Sequence, residues 1–363
     1  MAEVAEALVA IHSTDPATVY LSVRARTGGL DPAAIERELY EERAVVRMLG
    51  MRRTLFVVPR ALQPVVQSAC TDAIAARERA RLAGWVAESP GIRDAEAFLA
   101  EAEAAALEAV AAAGEASTAE LVRSAPILAT KLELGTGRWA IQASLGSRVL
   151  PLLAAQGRLL RARPRGTWIS GQYRWTTAQT WLGEELGAPE AGEARAELVR
   201  RWLGAFGAGT ELDLRWWTGL GARPVRAALS ALGAVEVDLD GSTGYVLPGD
   251  LDPVGPLEPA AALLPTLDST TMGWKERGWY LGTHGTLLFD RNGNAGPTVW
   301  WDGRVVGGWS QRADGEIAFR LLEDVGSDAA AAIEAEAEEL RAWLGDVRFK
   351  PGFLPPFQRK LAG

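Results

Sequence analysis

Cysteine is almost missing from this chain of 363 residues: Cys70 stands alone. No internal disulfide framework can form, and a reducing compartment is expected. Histidine is nearly as scarce, with only His12 and His284. No Cys/His set is therefore available to hold a metal, and none is expected. No apolar run approaches the roughly 18 residues that a membrane-spanning helix needs. The start, MAEVAEALVAIHS, is acidic and has no basic region ahead of an apolar stretch, so it does not read as a secretory signal. These absences point to a cytoplasmic protein without a membrane or cofactor requirement, whose chemistry rests on its own side chains. Positive charge is also short, with a formal net charge of -8. A uniformly basic nucleic-acid binder is excluded; phosphate contact would require cations segregated onto one face.

The cations that are present are almost all arginine, the residue suited to bidentate phosphate contact; the lysines are Lys131, Lys275, Lys350 and Lys360. They bunch: Arg43, Arg47, Arg52, Arg53 and Arg60 fall in one stretch, and Arg158, Arg161, Arg163 and Arg165 in another. Acidic residues gather instead in Ala/Glu segments near 94–109 and 328–339, which read as solvated helix faces.

One pattern recurs three times: helix, turn, helix, then a β-hairpin, the order of a winged helix. In the first copy, residues 2–11 and 16–26 have helical composition, Asp15-Pro16 and Asp31-Pro32 mark helix starts, and VVRML and RRTLFVVP form the hairpin around Gly50. In the second, Ser117-Thr118 opens a short helix, residues 138–156 read as a longer helix with Trp139 on its apolar side, and RLLRAR and TWISGQYRW flank a turn at Pro164-Arg165-Gly166. In the third, RAELVRRWLGAFG, ELDLRWWTGL and PVRAALSALG precede a hairpin turning at Asp240-Gly241; its strands carry Glu236, Asp238 and Asp240, an acidic wing suited to structure rather than phosphate. GEASTAELV and GAGTELDLR place Gly, Thr, Glu and Leu at similar offsets, which suggests duplication. After a Gly/Pro-rich boundary near 249–260, YLGTHGTLLFD, PTVWWDGRVVGGWSQR and GEIAFRLLE read as alternating strands, followed by a helix over 327–345, a last strand and a Pro-rich end. The expected fold is α+β, mainly α: winged helices over 1–90, 91–185 and 186–255, then a β-rich, barrel-like unit over 256–363.

The stretches AIHSTDPATVYLSVRART, MRRTLFVVP, RPRGTWISGQYRW, DLRWWTGL, LLPTLDSTTMGWKERGWYL, FDRNGNAGPTVWWDGRVVGGW and KPGFLPPF, in this order, resemble the winged-helix alkylpurine DNA glycosylases (AlkZ/YcaQ-like) over nearly the whole chain. The resemblance implies removal of N-alkylated purines from double-stranded DNA in base excision repair. It extends to bulky natural-product adducts and interstrand crosslinks, and in some members to self-resistance. It implies a soluble, nucleoid-associated protein, read here as a monomer. That family carries a Gln-apolar-Gln signature just before an Asp-Pro-like turn. Here His12 stands at the first Gln and Thr14 at the second, a departure from the pattern.

The chemistry tolerates such a change. A purine alkylated at N7 or N3 is cationic and leaves without a proton from the enzyme, so the protein need only stabilise an oxocarbenium-like sugar and place a water. A neutral His and a Thr hydroxyl can hold that water, and His12 is also a candidate general base. In an extended segment the i, i+2 pair shares a side, and Asp15, preceding proline, is biased toward extended backbone. Asp15 either orients His12 or, the preferred reading, caps the following helix. His12 also has a plain reading as a hydrogen-bonded turn residue. Arg43, Arg47, Arg52, Arg53, Arg163 and Arg165 are candidate phosphate contacts; for the four on wings, a solvated, edge-protecting strand is the equal alternative. Lys275 and Arg277 match a basic DNA-contacting segment implied by the resemblance. Asp268 reads as an electrostatic support for the cationic sugar or as a structural hydrogen-bond acceptor. His284 reads as a solvent-facing loop residue. The tryptophans read mostly as core; Trp300 and Trp301 point to opposite faces of a strand, so one of them is a candidate to stack on a base, with core the preferred reading. A non-catalytic winged-helix DNA binder, either a regulator or a lesion binder, is the competing function; a protein-interaction scaffold is a third.

Overall fold

Local chemistry sets the helix starts. The computed structural model describes residues 1–135, 141–183 and 187–363. Helix α1 (Ala2–Ala7) leads into a two-residue strand, β1 (Ile11–His12). Asp15 then caps α2 (Pro16–Arg24): its backbone is extended, its carboxylate accepts the Ala17 amide at 3.0 Å, and Pro16 fills the first turn, where a missing N–H costs nothing. Asp31 and Pro32 repeat the device for α3 (Pro32–Glu36). The chain returns as a hairpin, β2 (Val45–Leu49) and β3 (Leu55–Pro59), and β3 sits between β1 and β2 in an antiparallel sheet. Residues 2–11, expected to be helical throughout, divide because Ile11 and His12 pair with Val57 and Phe56.

The same order appears twice more. Helix Ala95–Ala113, helix Thr118–Ser124, helix Gly146–Ala155 and strands Leu159–Arg161 and Trp175–Thr177 follow one another, with Ala116 bridging to Trp175. Helix Ala191–Phe206, strand Gly209–Thr210, helices Glu211–Thr218 and Ala222–Leu232, and the hairpin Val235–Leu239/Ser242–Val246 then repeat it. In all three copies the segment after the first helix pairs with the last strand. The two stretches similar in sequence both end in a capping box, Ser117 with Glu120 and Thr210 with Asp213, in which each side chain satisfies an amide the helix start leaves open.

The long helix expected over 138–156 is shorter. Ile141–Ser144 pairs with Lys131–Leu134 as an extra hairpin, and the helix begins only at Gly146. The partner Lys131–Leu134 alternates exposed and buried residues, a strand period, and pairing with it draws Ile141–Ser144 out of the helix. Trp139 lies outside the described residues.

The C-terminal region needs more correction. YLGTHGTLLFD forms two helical turns, Gly278–Leu281 and Gly285–Leu288, instead of a strand. The last strand expected after residue 345 is replaced by the helix Pro356–Ala362. The strands Ala261–Leu264, Thr298–Trp301, Arg304–Gln311 and Ile317–Leu321 form an antiparallel sheet in that order. The sheet is open, its first and last strands do not pair, and among the described residues it does not close into a barrel. Helix Ser327–Leu344 packs across both outer strands, covering the apolar face that closure would otherwise have hidden.

The buried apolar side chains gather in two main clusters. One runs through the first copy, the third copy and the C-terminal sheet, with Tyr20, Phe56, Trp202, Trp217, Trp309 and Ile333 among its members. The other is built mostly from Leu99, Ala102, Val110, Leu121, Leu145, Val149 and Leu153 of the second copy. No helix of the described residues is long and apolar enough to cross a membrane.

Candidate active site and nucleic-acid interface

His12 ends β1, and three elements hold it. It sits opposite Phe56 in the sheet register, with the two rings edge to face at 4.9 Å. Its amide donates to Ser269 Oγ at 3.2 Å, and Ser269 Oγ donates to Ala10 O at 2.8 Å. The loop Thr266–Thr270 thereby clasps β1. The same loop is tied to α2: Thr18 Oγ1 donates to Thr266 O at 2.8 Å, Ser22 Oγ donates to Asp268 Oδ2 at 2.6 Å, and Arg26 places one guanidinium nitrogen at 2.8 Å from Oδ1 and another at 3.0 Å from Oδ2. Burial works to raise the Asp268 carboxyl; Arg26, with hydrogen bonds from Ser22 and the Thr270 amide, outweighs it and holds the group below the usual carboxylate range. With both oxygens engaged and no exposed surface, Asp268 cannot touch a sugar. Its role is the structural one, and it reaches His12 only through its field.

The imidazole itself is 3% exposed. Burial, and then the positive charge of Arg52, push its pKa down to about 3, with Asp268 opposing, so the ring is neutral at physiological pH. The Thr14 amide donates to Nδ1 at 3.4 Å. An amide can only donate, so Nδ1 is the acceptor and the ring proton resides on Nε2. This geometry favours His12 as a hydrogen-bond donor over the general-base reading: one ring nitrogen is occupied and weakly basic, and the other presents an N–H. Extended backbone stops at His12, and residues 14 and 15 form a bend. The amide of Thr14, rather than its hydroxyl, meets the ring, and its side chain is exposed.

Asp15 does not orient His12. Beyond its capping bond it accepts the Gly352 amide at 2.6 Å, which ties the C-terminal segment to the site, and burial raises its pKa. On the opposite face of the strand end, Ser13 Oγ accepts from Arg47 Nε at 2.7 Å, and Arg47 also donates to the Tyr40 hydroxyl at 2.9 Å and lies 4.5 Å from the Tyr173 ring centre.

The candidate phosphate contacts separate on inspection. Arg47 has its guanidinium engaged by Ser13, Tyr40 and the Tyr173 ring, an inward structural arrangement and not a presented cation, which corrects its assignment as a DNA contact. Arg43 is half-buried, donates to the carbonyls of Thr180 and Trp181, and covers the Trp181 ring at 4.5 Å. Arg163 pairs with Glu36 at 2.6 Å and Glu41 at 3.1 Å, and Arg165 pairs with Glu120. Arg53 is exposed and paired with Glu78 at 2.8 Å. Lys275 is exposed, while its amide anchors on Asp213 at 2.7 Å. Arg52 and Arg277 are brought together: both lie over the Trp216 ring, at 4.0 and 4.9 Å. His284 is not a free loop residue, since its Nε2 meets Glu323 at 3.1 Å.

Sequence reasoning treated the tryptophans as core. Trp300 agrees, buried and stacked on Tyr280 at 5.2 Å. Trp216 does not, being half-buried beneath two guanidinium groups. The signal was present in DLRWW: adjacent residues on a helix are about 100° apart, so Trp217 and Trp216 cannot share one core-facing side. Ser269 and Arg26, which hold the site in place, carried no local signal. No cluster of His, Cys, Asp and Glu able to hold a metal occurs among the described residues.

A family model described as DNA glycosylase AlkZ-like matches residues 5–343. Among solved structures, Streptomyces sahachiroi DNA glycosylase AlkZ is similar in fold, with a TM-score of 0.70 at 23% identity over 94% of this chain and 90% of that one. Among curated proteins there is no match.

Proposed function

The chain belongs to the AlkZ-like DNA glycosylase family, and from that premise we propose that it hydrolyses the N-glycosidic bond of N-alkylated purines in double-stranded DNA, using His12 and Thr14 to hold the attacking water. The observation that carries this reading is the neutral imidazole at the end of β1, with its only free nitrogen an N–H donor.

The C1′–N9 bond breaks with its electron pair returning to the base, which neutralises the alkylated ring. The sugar is left as an oxocarbenium-like cation. A water held by the Nε2–H of His12 and the hydroxyl of Thr14 adds to C1′, and its surplus proton passes to solvent. Because the cation needs no strong nucleophile, orientation is the whole task, and a neutral donor serves where an imidazolium would repel the developing charge. A glutamine amide offers a comparable N–H, which accounts for His12 at a position where the family carries Gln. Lys275, exposed, serves as an outer backbone contact, with Arg53, Arg163 and Arg165 joining if DNA draws them from their carboxylates. The shared topology of the three copies supports reading them as winged helices, divided as the sequence suggests; a monomer acting at the nucleoid in the cytoplasm is part of the same proposal and rests on the resemblance.

The test is release of 7-methylguanine from a duplex oligonucleotide, followed by scission of the abasic product. His12→Gln is expected to retain base release and His12→Ala to lose it while still binding DNA. Binding without release by the wild-type protein selects a non-catalytic lesion binder instead.

A further inference from the structure

We propose that Arg52, Trp216, Arg277 and Phe289 form a cation–aromatic ladder that grips two consecutive phosphates of the DNA strand beside His12. The proposal rests on the glycosylase reading for its ligand and adds a subsite to it.

Four observations carry it. The Arg277 guanidinium lies 4.5 Å from the Phe289 ring centre and 4.9 Å from that of Trp216, while Arg52 lies 4.0 Å from the Trp216 ring. Rings and guanidinium groups thus alternate, and each ring face fixes a planar cation without using its N–H edge. Secondly, neither arginine has a carboxylate within ion-pair distance among the described residues, although Arg53 next door, Arg163 and Arg165 all do. The Nε of Arg52 is buried with no hydrogen-bond partner. Two adjacent, partly desolvated cations are costly to maintain when the Asp213 carboxylate acts on Arg277 only from beyond pairing distance, and an arriving anion relieves that cost. Burial, together with Arg277, lowers the Arg52 pKa to about 10, which still leaves it charged at neutral pH.

Thirdly, the backbone is shaped to deliver Arg52. Arg52 and Arg53 have φ of 52° and 63°, a left-handed pair that non-glycine residues adopt only under constraint. Gly219, whose φ is 75° and whose missing Cβ would stand 3.1 Å from Arg52 N, lets the end of helix Glu211–Thr218 pack against this turn; a side chain there would strain its own backbone and push on Arg52. Fourthly, the ladder sits between chemistry and open surface. At one end the charge of Arg52 is felt by His12. At the other, Phe289 also borders a concavity of about 740 Å³ together with Arg291, Phe353 and Arg359. A duplex strand crossing the ladder would be held in register with the imidazole.

The experiment measures binding of a duplex containing 7-methylguanine to the full-length protein across a range of salt concentrations, with single-turnover base release followed in parallel. Each neutralised phosphate contributes about 0.9 to the slope of log K against log salt. Arg52→Ala and Arg277→Ala are each expected to reduce the slope by about 0.9, and the double variant by about 1.8. Trp216→Phe, which keeps an aromatic face, is expected to bind like wild type, and Trp216→Leu to bind about tenfold more weakly. Arg52→Lys and Arg277→Lys, which keep the charge but lose the planar stacking, are expected to retain the slope, with urea unfolding of every variant at neutral pH checking that the fold is kept. An unchanged slope in the alanine variants overturns the ladder as a phosphate site, and a double variant no worse than the singles overturns the two-phosphate form. The outcomes separate from those for the glycosylase reading: a wild-type protein that fails to release base while the slopes shift as stated removes the chemistry and leaves the ladder standing.

Discussion

If the His12 imidazole is buried and neutral, acid must destabilise the fold through this one residue, and the size of the effect can be worked out. Its pKa falls from 6.5 to about 3 on folding. Between those values the unfolded chain binds a proton that the folded chain refuses, so stability rises with pH across that window. The contribution is intact above the unfolded pKa and is lost progressively as pH drops below it. At pH 4.5, two units below the unfolded value at about 1.36 kcal/mol per unit, the penalty from His12 is about 2.7 kcal/mol relative to pH 7. The perturbation is His12→Gln, which keeps a polar N–H donor and cannot titrate. Urea unfolding of both proteins at pH 7 and pH 4.5 gives four stabilities, and the difference of differences isolates the histidine. Asp15, raised by burial, and Asp268, held down by Arg26, titrate in both proteins and cancel. Wild type should lose about 2.7 kcal/mol more than the variant. Parallel losses would refute the argument: the imidazole would then be solvated or paired with an anion in the folded state, and the neutral N–H donor would have no basis. The same protonation state makes the base-release rate flat between pH 5.5 and 8.5, with no limb near 6.5.

Further outcomes are expected elsewhere in the site. Asp268→Asn leaves the half-buried Arg26 facing no carboxylate, where loss of one partner of such a pair costs up to about 3 kcal/mol, readable as a lower urea midpoint with the DNA salt slope unchanged. Gly219→Ala forces a side chain into left-handed backbone against Arg52, at a cost of about 1–2 kcal/mol; if the turn delivers Arg52 as described, duplex affinity falls more than that of a control Gly→Ala change of equal stability cost. Arg47→Met, at a buried position hydrogen-bonded to Ser13 and Tyr40, is expected to change stability and leave the salt slope at the wild-type value; a drop of about 0.9 in slope would restore it as a phosphate contact.

Much of this was legible because it is local. Asp15-Pro16 and Asp31-Pro32 specify helix starts through a cap and a fixed φ, both within two residues. The Asp240-Gly241 and Asp302-Gly303 turns adopt the paired positive φ that their dipeptides favour. Ser117 with Glu120 and Thr210 with Asp213 close capping boxes three residues apart. The hairpin at Ile141–Ser144 was missed because a short apolar stretch fits either period, and only its pairing with Lys131–Leu134 chose between them.

By itself, then, the sequence determined the capped helix starts, the Asp-Gly turns, the threefold recurrence and the position of His12 before an Asp-Pro turn, since each depends on neighbours a few bonds away. Tertiary structure alone decided which arginines remained free, because Arg163 finds Glu36 and Arg165 finds Glu120 across long stretches of chain. It also decided that the histidine is neutral, since the burial comes from packing and the opposing charges of Arg52 and Asp268 converge from distant segments. Charge state and exposure belong to the surroundings of a side chain, and those exist only once the chain has folded.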